Sequence, residues 1–292
     1  MVTLYRRLPK FEYRRPTSLQ EALSLLAQYK GKARLLAGGT DLVPKLKRRE
    51  IEAPSYLIDI KSIAGLDYIK YDEVEGLKIG ALATIHAVES SPIIKERFPV
   101  LAQAAYSMAS VQVRNRATLA GNICNAVPSA DTAPALLTLQ ARVKLASQKG
   151  ERWVDIEDFF TGPKETVLTD EEMLLEIEVP NLPLSHKGIY LKLSPRRSMD
   201  LAVVGVAVVA VPENGVFKDV RIALGAVAPT PIRARRAEEV LRGQSLNEEL
   251  IRTAAKIAEE EARPIDDHRA SAWYRKKMVN VLVKRALRQI IS

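Results

Sequence analysis

Residues 35–42 of the chain read Leu35-Leu36-Ala37-Gly38-Gly39-Thr40-Asp41-Leu42. Residues 33–37 predict a short buried strand, which ends in the Gly-Gly turn before a second predicted helix. Glycine lets the backbone adopt positive φ and lets a ligand approach without a Cβ in the way. Because amides exposed in such a turn and at the start of a helix attract phosphate, the stretch predicts a phosphate-binding turn. The alternative is an ordinary turn with no ligand.

A second polar stretch has a similar character. It reads Arg114-Asn115-Arg116-Ala117-Thr118-Leu119-Ala120-Gly121-Asn122-Ile123-Cys124-Asn125 and continues through Pro128-Ser129-Ala130-Asp131. We predict an irregular passage over residues 112–131, in which Thr118 and Asn122 can hold a pyrophosphate and Asp131 can accept hydrogen bonds from a ribose or an adenine. The sequence has neither the Gly-x-Gly-x-x-Gly of a Rossmann unit nor a phosphate loop ending in Gly-Lys-Ser/Thr. A dinucleotide would therefore bind through another fold.

Length and composition predict a soluble globular protein of two or three structural units. The chain has 292 residues, of which 47% are hydrophobic and 27% are charged. The longest apolar stretch, residues 201–211, falls short of the roughly 18–20 residues that cross a bilayer. Residues 1–15 lack the apolar centre of a signal peptide. We therefore expect a cytoplasmic protein that does not associate with membranes.

The side chains that commonly ligate metals are few and scattered. Cys124 is the single cysteine, and His86, His186 and His268 lie far apart in the sequence. One thiol can form neither an internal disulfide nor an iron–sulfur site. We therefore expect no metal site in this chain, so that any metal in its chemistry belongs to another chain.

The charge is unbalanced towards cations. The net charge is +9, with 44 Lys and Arg against 35 Asp and Glu, and residues 269–292 carry seven cations and no acid. Such a balance suits nucleic acid, an acidic partner or an anionic cofactor. The cations are not gathered in one tract with interleaved aromatic residues, so we expect no nucleic acid. The basic end is either a solvated helix face or a surface for an acidic partner.

The order of the predicted elements divides the chain near residue 180. Ser18 followed by Glu21 predicts a capping box at the start of the first helix. In the first part we predict strands over residues 56–60, 142–147 and 173–179, and helices over residues 84–90, 100–107 and 133–139. In the second part we predict strands over residues 189–193, 201–211 and 216–224, then helices over residues 233–241, 247–262 and 272–290. Strands followed by a run of helices predict a separate α+β domain.

Four motifs resemble those of a known protein family and follow one another in the same order. They are residues 37–42 and 114–123, together with residues 190–202 and 264–275. The family is that of the FAD-binding medium subunits of molybdenum hydroxylases, which includes the xanthine dehydrogenase and carbon monoxide dehydrogenase subunits. The resemblance covers nearly the whole chain and identifies the family, but it does not identify the substrate.

In fold, the resemblance implies an α+β protein. A vanillyl-alcohol-oxidase-type (PCMH) FAD-binding domain would cover residues 1–179, with two α/β subdomains at about residues 1–55 and 56–179. A C-terminal α+β domain of the carbon monoxide dehydrogenase flavoprotein type would cover residues 180–292. The FAD would lie between the two N-terminal subdomains.

The resemblance also implies which residues hold the FAD. Its pyrophosphate and ribityl chain would be wrapped by residues 35–42 and by Thr118, Leu119, Ala120, Gly121 and Asn122. Asp131 would hold the adenosine end, Leu174 would pack on the flavin, and Lys192 would approach the polar edge of the flavin ring. Met108 stands where relatives have an aromatic ring against the FAD, and Met can fill a similar apolar gap.

Simpler interpretations of these residues stay open at this point. Without the resemblance, Leu174 is a core residue and Lys192 is a solvated strand residue. Arg196 and Arg197 lie either beside the flavin or at an interface. Cys124 is either close to the cofactor or a buried, inert thiol.

In function, the resemblance implies an electron-transfer subunit with no catalytic residue and no metal of its own. It would carry FAD and pass electrons from the [2Fe-2S] clusters of a small subunit to an external acceptor such as NAD. The molybdenum cofactor would lie on a large subunit, in a heterotrimer that pairs into a dimer of heterotrimers. Two other classes are open: a free-standing FAD-dependent oxidoreductase of the same fold that acts directly on a small substrate, and a basic nucleic-acid or scaffold protein, which only the charge supports.

Overall fold

The computed structural model of the chain describes residues 7–196, 198–214, 216–245 and 247–291. Two predictions therefore fall partly outside the described residues: the one made for residues 1–15, of which residues 1–6 are not described, and the two roles left open for Arg197. Within the described ranges, no helix combines the length and the apolar character that a bilayer crossing requires.

The N-terminal unit is a small parallel sheet with helices. Its elements are β1 (Glu12–Arg14), α1 (Leu19–Gln28), β2 (Ala33–Leu36), α2 (Leu42–Arg48) and β3 (Tyr56–Asp59), with a 3-10 turn over Ile60–Ser62. The strands follow the order β1-β3-β2, and both pairings are parallel. β2 is therefore an edge strand, and it leads directly into the Gly-Gly turn.

The predicted capping box at the start of α1 is present with one change of partner. The Ser18 hydroxyl accepts a hydrogen bond from the Glu21 N–H at 3.2 Å. The Glu21 carboxylate accepts a hydrogen bond from the N–H of Thr17, one residue before the cap, at 2.8 Å. Both bonds satisfy amides that would otherwise lack acceptors at the helix start.

The middle unit is an antiparallel sheet covered by short helices. Its strands are β4 (Ile69–Asp72), β5 (Gly76–Gly80), β6 (Arg142–Ser147), β7 (Gly150–Asp155), β8 (Phe160–Gly162), β9 (Glu165–Thr166) and β10 (Met173–Val179). Its helices are α3 (Ile85–Ser90), α4 (Pro92–Arg97), α5 (Pro99–Tyr106), α6 (Val111–Arg114), α7 (Leu119–Cys124), α8 (Thr132–Thr138) and α9 (Ile156–Phe159). The main sheet has the order β4-β5-β10-β6-β7, and β8 and β9 form a separate two-stranded sheet.

The prediction of an irregular passage over residues 112–131 is wrong, because this passage contains most of α6 and all of α7. Each of these short helices begins with a polar cap. The Ser110 hydroxyl accepts from the Val113 N–H, and the Thr118 hydroxyl accepts from the Gly121 N–H. These polar caps interrupt the apolar periodicity that reveals longer helices in a sequence.

The C-terminal unit is an antiparallel meander followed by three helices, as predicted. Its elements are β11 (Lys187–Leu193), β12 (Val204–Glu213), β13 (Val216–Gly225), β14 (Ile232–Arg233), α10 (Arg235–Leu241), α11 (Glu248–Glu261) and α12 (Ala272–Ile291). β12 is buried on both faces: Val206 and Val208 pack in the cluster with the C-terminal helices, and Ala207 and Val209 pack in the cluster of the middle unit. Burial on both faces explains the continuous apolar run of this strand.

β12 begins three residues later than predicted. Leu201 is apolar but 53% exposed, and it belongs to the loop between β11 and β12. An apolar residue is not necessarily a buried one, because much of a folded protein's surface is apolar.

A buried ion pair supports the C-terminal unit. The Glu238 carboxylate accepts two hydrogen bonds from the Arg233 guanidinium, at 2.5 and 2.7 Å, and one from the Ile222 N–H at 2.8 Å. The two side chains are only 2% and 1% exposed. The pair therefore joins α10 to β13 and β14 away from solvent.

Glu238→Gln should lower the free energy of unfolding by about 3 kcal/mol or more, because it leaves a buried guanidinium without a counter-charge. Urea denaturation followed by circular dichroism measures the change. Glu239 follows Glu238 in the same helix but is exposed, so Glu239→Gln is the matched control and should change stability by less than about 0.5 kcal/mol. Equal stability of the two variants would contradict the role given to the pair.

Candidate functional site

A cavity of about 620 Å³ lies between the N-terminal and the middle unit. Its walls come from β2 and the glycine turn, from residues 117–125 around α7, and from residues 164–174 ahead of and within β10. A cavity of this size is typical of small-molecule and cofactor sites. The two glycine-containing motifs of the sequence therefore face a common space.

Most of the predicted site residues line this cavity. They are Leu35, Leu36, Ala37, Gly38, Gly39, Thr40, Asp41, Leu42, Met108, Thr118, Ala120, Gly121, Asn122 and Leu174. Leu119, Asp131 and Lys192 do not line it. Leu119 is fully buried in the core under α7, where it holds the helix rather than a ligand.

Gly38 packs directly against the backbone of the second motif. A Cβ at this position would lie 2.0 Å from the carbonyl oxygen of Arg116 and 2.9 Å from the Cα of Ala117. Backbone atoms cannot rotate away as the end of a side chain can. The two motifs therefore meet only because residue 38 has no side chain.

Gly39 serves the turn in a different way. Its φ of +75° lies in the left-handed region, which other L-residues adopt at a cost. A Cβ at this position would lie 3.0 Å from Leu36 Cδ1 and 3.3 Å from Val43 Cγ2. Gly38 thus allows two backbones to approach closely. Gly39 allows the left-handed backbone conformation with which the chain leaves the turn.

The start of α2 has one amide that an anion can use. Asp41 is the N-cap of α2, but its side chain makes no capping hydrogen bond. The Val43 N–H donates to the Gly39 carbonyl at 3.1 Å, Pro44 has no N–H, and the Leu42 N–H has no acceptor among the described residues. Desolvation raises the pKa of the Asp41 carboxyl, and Lys45 and Asn125 oppose this rise. Lys45 also donates a hydrogen bond to Asn125 and so connects α2 to the end of α7.

Lys61 orients the peptide that precedes Gly38. Its Nζ donates to the Ala37 carbonyl at 3.3 Å and forms a salt bridge with Asp59 at 2.7 Å. The carbonyl and the N–H of a trans peptide point in opposite directions. Lys61 lines a smaller cavity of about 300 Å³, and the Gly38 N–H therefore points away from Lys61.

Asp59 holds Lys61 in this position. Its carboxylate accepts hydrogen bonds from the Tyr13 hydroxyl at 2.5 Å and from the Lys61 N–H at 3.0 Å. Burial alone would raise the pKa of Asp59, but the hydrogen bonds from Lys61 and Tyr13 hold it below its ordinary value. The sequence analysis missed Lys61, although this lysine directly follows the strand predicted over residues 56–60.

Asp131 and Lys192 are in direct contact with each other. Lys192 Nζ donates to Asp131 Oδ2 at 2.8 Å and to the Ser107 carbonyl at 3.1 Å. The Tyr190 hydroxyl donates to the other Asp131 oxygen at 2.8 Å. The contacts of Asp131 with the adenosine end and of Lys192 with the flavin ring stay predictions.

This cluster joins the middle unit to the C-terminal unit. Residues 190 and 192 face the same side of β11 and reach the start of α8, where Asp131 is 5% exposed. Burial raises the pKa of Asp131, and Lys192 opposes the rise. Gly205 on β12 leaves room for Tyr190, because a Cβ there would lie 2.7 Å from the hydroxyl oxygen.

Met108, Leu174 and Cys124 line the cavity and are also packed against the core. The bulge between Leu174 and Glu176 on β10 interrupts the strand register beside the cavity. Burial raises the pKa of the Cys124 thiol to about 12. At neutral pH this cysteine is therefore a protonated, inert thiol, even though it lies at the cavity.

Two further outcomes concern residues that the sequence left open or missed. The Arg196 side chain pairs with Asp200 at 3.2 Å in the loop after β11 and does not line the cavity. The cavity wall formed by residues 164–172 was missed. In the sequence, this wall is a polar run that ends where the strand predicted over residues 173–179 begins.

Two family models match the chain. The model described as the FAD binding domain in molybdopterin dehydrogenase matches residues 9–182. The model described as the CO dehydrogenase flavoprotein C-terminal domain matches residues 189–290. Together they cover nearly the whole chain and agree with the predicted fold: an FAD-binding domain followed by an α+β domain.

Individual relatives are similar over their full length. The chain is 37% identical to the glyceraldehyde dehydrogenase medium chain of Sulfolobus acidocaldarius, over 97% of this chain and 99% of the relative. It is 34% identical to the putative xanthine dehydrogenase FAD-binding subunit of Escherichia coli, over 96% of each. Among solved structures, carbon monoxide dehydrogenase of Hydrogenophaga pseudoflava is similar with a TM-score of 0.93 and 38% identity, over 97% of this chain and 98% of that chain.

Gly38→Ala should lower the free energy of unfolding by about 3 kcal/mol, because the new Cβ must push two backbones apart. Gly39→Ala should cost about 1–2 kcal/mol, the strain of a left-handed alanine. Gly65 has the same φ of +75°, and a Cβ added there would have no neighbouring atom within 4 Å, so Gly65→Ala reports that strain alone. Urea denaturation of the three variants without cofactor measures the free energy of unfolding of each. If Gly38→Ala lowers it by no more than Gly65→Ala does, the close contact of residue 38 with the Arg116 backbone is contradicted.

Proposed function

The chain belongs to the family of FAD-binding medium subunits of molybdenum-containing dehydrogenases, and we propose that it holds one non-covalent FAD in the cavity of about 620 Å³. In this proposal it passes electrons from the [2Fe-2S] clusters of a small partner subunit to an external acceptor such as NAD. The observation that carries the proposal is the contact of Gly38 with the Arg116 backbone, because it brings both glycine-containing motifs to one cavity.

The donors around the turn suit a pyrophosphate. Gly38 lines the cavity, and the Leu42 N–H at the start of α2 has no acceptor among the described residues. Lys45 and Lys61 place two cations close to the turn. An anion in this position accepts hydrogen bonds from amides whose direction the fold has already set, so little reorganisation is needed on binding.

The apolar walls suit the planar part of the cofactor. Met108, Met173 and Leu174 contribute large apolar side chains to the lining, and all three are packed into the core. A flat ring between such side chains is shielded from water. When bound, FAD supplies transfer of one or two electrons, and the protein supplies position and electrostatics.

For the site we propose the predicted residues that line the cavity, with Lys61 added as the residue that positions the turn. Asp131, Tyr190 and Lys192 form a buried cluster next to Ser107, which precedes the cavity residue Met108. In this proposal the cluster supports the cavity wall. We also propose the division of the chain near residue 180 into an FAD-binding and a C-terminal domain.

The proposed partners follow from the names of the relatives. The similar proteins from S. acidocaldarius and H. pseudoflava are called medium chains, a name that implies larger and smaller chains beside them. We propose a heterotrimer with a large molybdenum-cofactor subunit and a small [2Fe-2S] subunit, paired into a dimer of heterotrimers. The organic substrate would then react on the large subunit.

The purified chain should release about one FAD per polypeptide on acid treatment. Its flavin should be reduced by dithionite but not by purines, aldehydes or carbon monoxide, because substrate chemistry belongs to another subunit. Absorbance at 450 nm follows both tests, and addition of the two partner subunits should restore substrate-dependent reduction. A colourless protein that also fails to bind added FAD would contradict the cofactor. Reduction by an organic substrate without partners would make the chain a free-standing oxidoreductase.

Lys61→Met should weaken FAD binding about tenfold, or by about 1.4 kcal/mol, because the Ala37–Gly38 peptide loses its partner. Riboflavin, which has no phosphate, should bind the variant as it binds the unmodified protein. Isothermal titration calorimetry measures both affinities. Lys32 is an exposed lysine just before β2, so Lys32→Met is the matched control. Equal weakening of FAD and riboflavin would mean that Lys61 acts on the cavity as a whole and not on the phosphate-binding turn.

A further inference from the structure

The fourth motif of the sequence, residues 264–275, contributes no residue to the lining of the large cavity. It ends in Arg275, which is only 1% exposed and is the largest fully buried side chain among the described residues. A buried guanidinium is costly unless hydrogen bonds and a counter-charge offset the loss of its water. The partners of Arg275 therefore indicate what this motif holds in place.

Arg275 connects the start of α12 to the ends of two strands. Its guanidinium donates to the Ala226 carbonyl at 2.8 Å and to the Val203 carbonyl at 3.4 Å, and it pairs with Asp267 at 2.6 Å. A planar guanidinium can fill several directions at once, whereas the ammonium of a lysine is one point on a flexible stem. The site thus requires the shape of arginine as well as its charge.

Ala226 carries this contact out of the C-terminal unit. It directly follows β13, and its φ of +63° is left-handed. Its carbonyl accepts from Arg275, and its N–H donates to the Pro128 carbonyl in the middle unit at 2.7 Å. A left-handed alanine costs free energy and persists where the surrounding structure fixes it. Here the two hydrogen bonds fix it from both sides.

Pro128 lies in the loop between α7 and α8, residues 125–131, which we call the junction loop. Asn125 at its start lines the cavity. Ala126 is also left-handed, with a φ of +47°, and its carbonyl accepts from the Lys164 N–H at 2.8 Å. Lys164 lines the cavity as well. The junction loop therefore joins the contact with Ala226 to two parts of the cavity lining.

The Ala226 contact fixes the middle of the junction loop, while other contacts fix its ends. The Asn125 side chain accepts a hydrogen bond from Lys45 of α2 at the start of the loop. Asp131, at its end, accepts from Tyr190 and Lys192. A shift in the middle of the loop would move the cavity residues bonded to it, because the peptide units between these contacts are short and rigid.

We propose that Arg275 is a positioning residue for the FAD site, which acts through Ala226 and the junction loop on the wall of the cavity. This inference rests on the proposed function. Because the coupling of two sites is reciprocal, FAD in the cavity should also strengthen the hydrogen bond between Ala226 and Pro128. An arginine that only stabilises the C-terminal unit would leave both the surroundings of the flavin and this hydrogen bond unchanged.

Arg275→Lys and Arg275→Met test the proposal. Asp267 keeps its ion pair with Arg269 at 2.6 Å in both variants, so no carboxylate is left without a partner. The Kd for FAD, measured by calorimetry where the variants are folded, should rise at least tenfold. The visible circular dichroism of the bound flavin should change as well, because the wall around it moves.

Glu238→Gln is the matched control for the two variants. It breaks a buried ion pair in the same C-terminal unit, and the described hydrogen bonds of Glu238 do not reach the junction loop. This variant should lose stability in urea, yet it should keep its Kd for FAD within twofold and its flavin circular dichroism unchanged.

Hydrogen exchange of the unmodified protein tests the coupling without any substitution. NMR spectroscopy follows single amides with and without FAD. The Ala226 N–H should exchange at least tenfold more slowly when FAD is bound, although Ala226 does not line the cavity. The Ala234 N–H, which donates to the Ile222 carbonyl at 2.8 Å within the same unit, is the control and should change less than twofold.

The outcomes separate the inference from the proposed function. If the Arg275 variants keep the Kd for FAD and the flavin spectrum, Arg275 does not position the site. If Glu238→Gln weakens FAD binding equally, Arg275 serves only the stability of its unit and the inference is overturned. If the Arg275 variants do not fold, the exchange decides, and equal slowing at Ala226 and Ala234 refutes the coupling. If the unmodified protein binds no FAD, the proposed function itself fails, and the inference fails with it.

Discussion

The distance between the glycine turn and the second motif is set by a contact between two backbones. Residue 38 lies so close to the Arg116 carbonyl that a Cβ would overlap it at 2.0 Å. This approach joins an N-terminal parallel sheet to the helices of the middle unit, and the cavity lies where the two meet. Residues on α7 and residues ahead of β10 line a common cavity only because this spacing is kept.

The C-terminal unit packs against the middle unit through β12. β12 is buried on both faces, so it belongs to the core of the middle unit and to the core under the C-terminal helices. The Asp131, Tyr190 and Lys192 cluster adds polar contacts across the same boundary. A network of buried polar groups is costly unless every member is paired, so these contacts favour one orientation of the two units.

Much of the fold could be predicted because its signals are local. β6 and β10 have the predicted bounds, and the C-terminal helices begin and end within two residues of the prediction. Long apolar periodicity and capping residues are properties of neighbouring positions, which a sequence shows directly. α6 and α7 were missed because a helix of four or six residues has too few turns to show a period.

The sequence by itself determined most of the longer elements, the two glycine-containing motifs and the family, because each depends on residues close together in the chain. Only the tertiary structure decided which side chains share a space. Lys61 reaches the Ala37 carbonyl, and Lys192 reaches Asp131 across 61 positions of sequence. Those pairings depend on strand register and on how the sheets pack, and no local pattern encodes either. The same reason explains why Leu201, apolar in sequence, lies on the surface, while the charged Arg275 is buried.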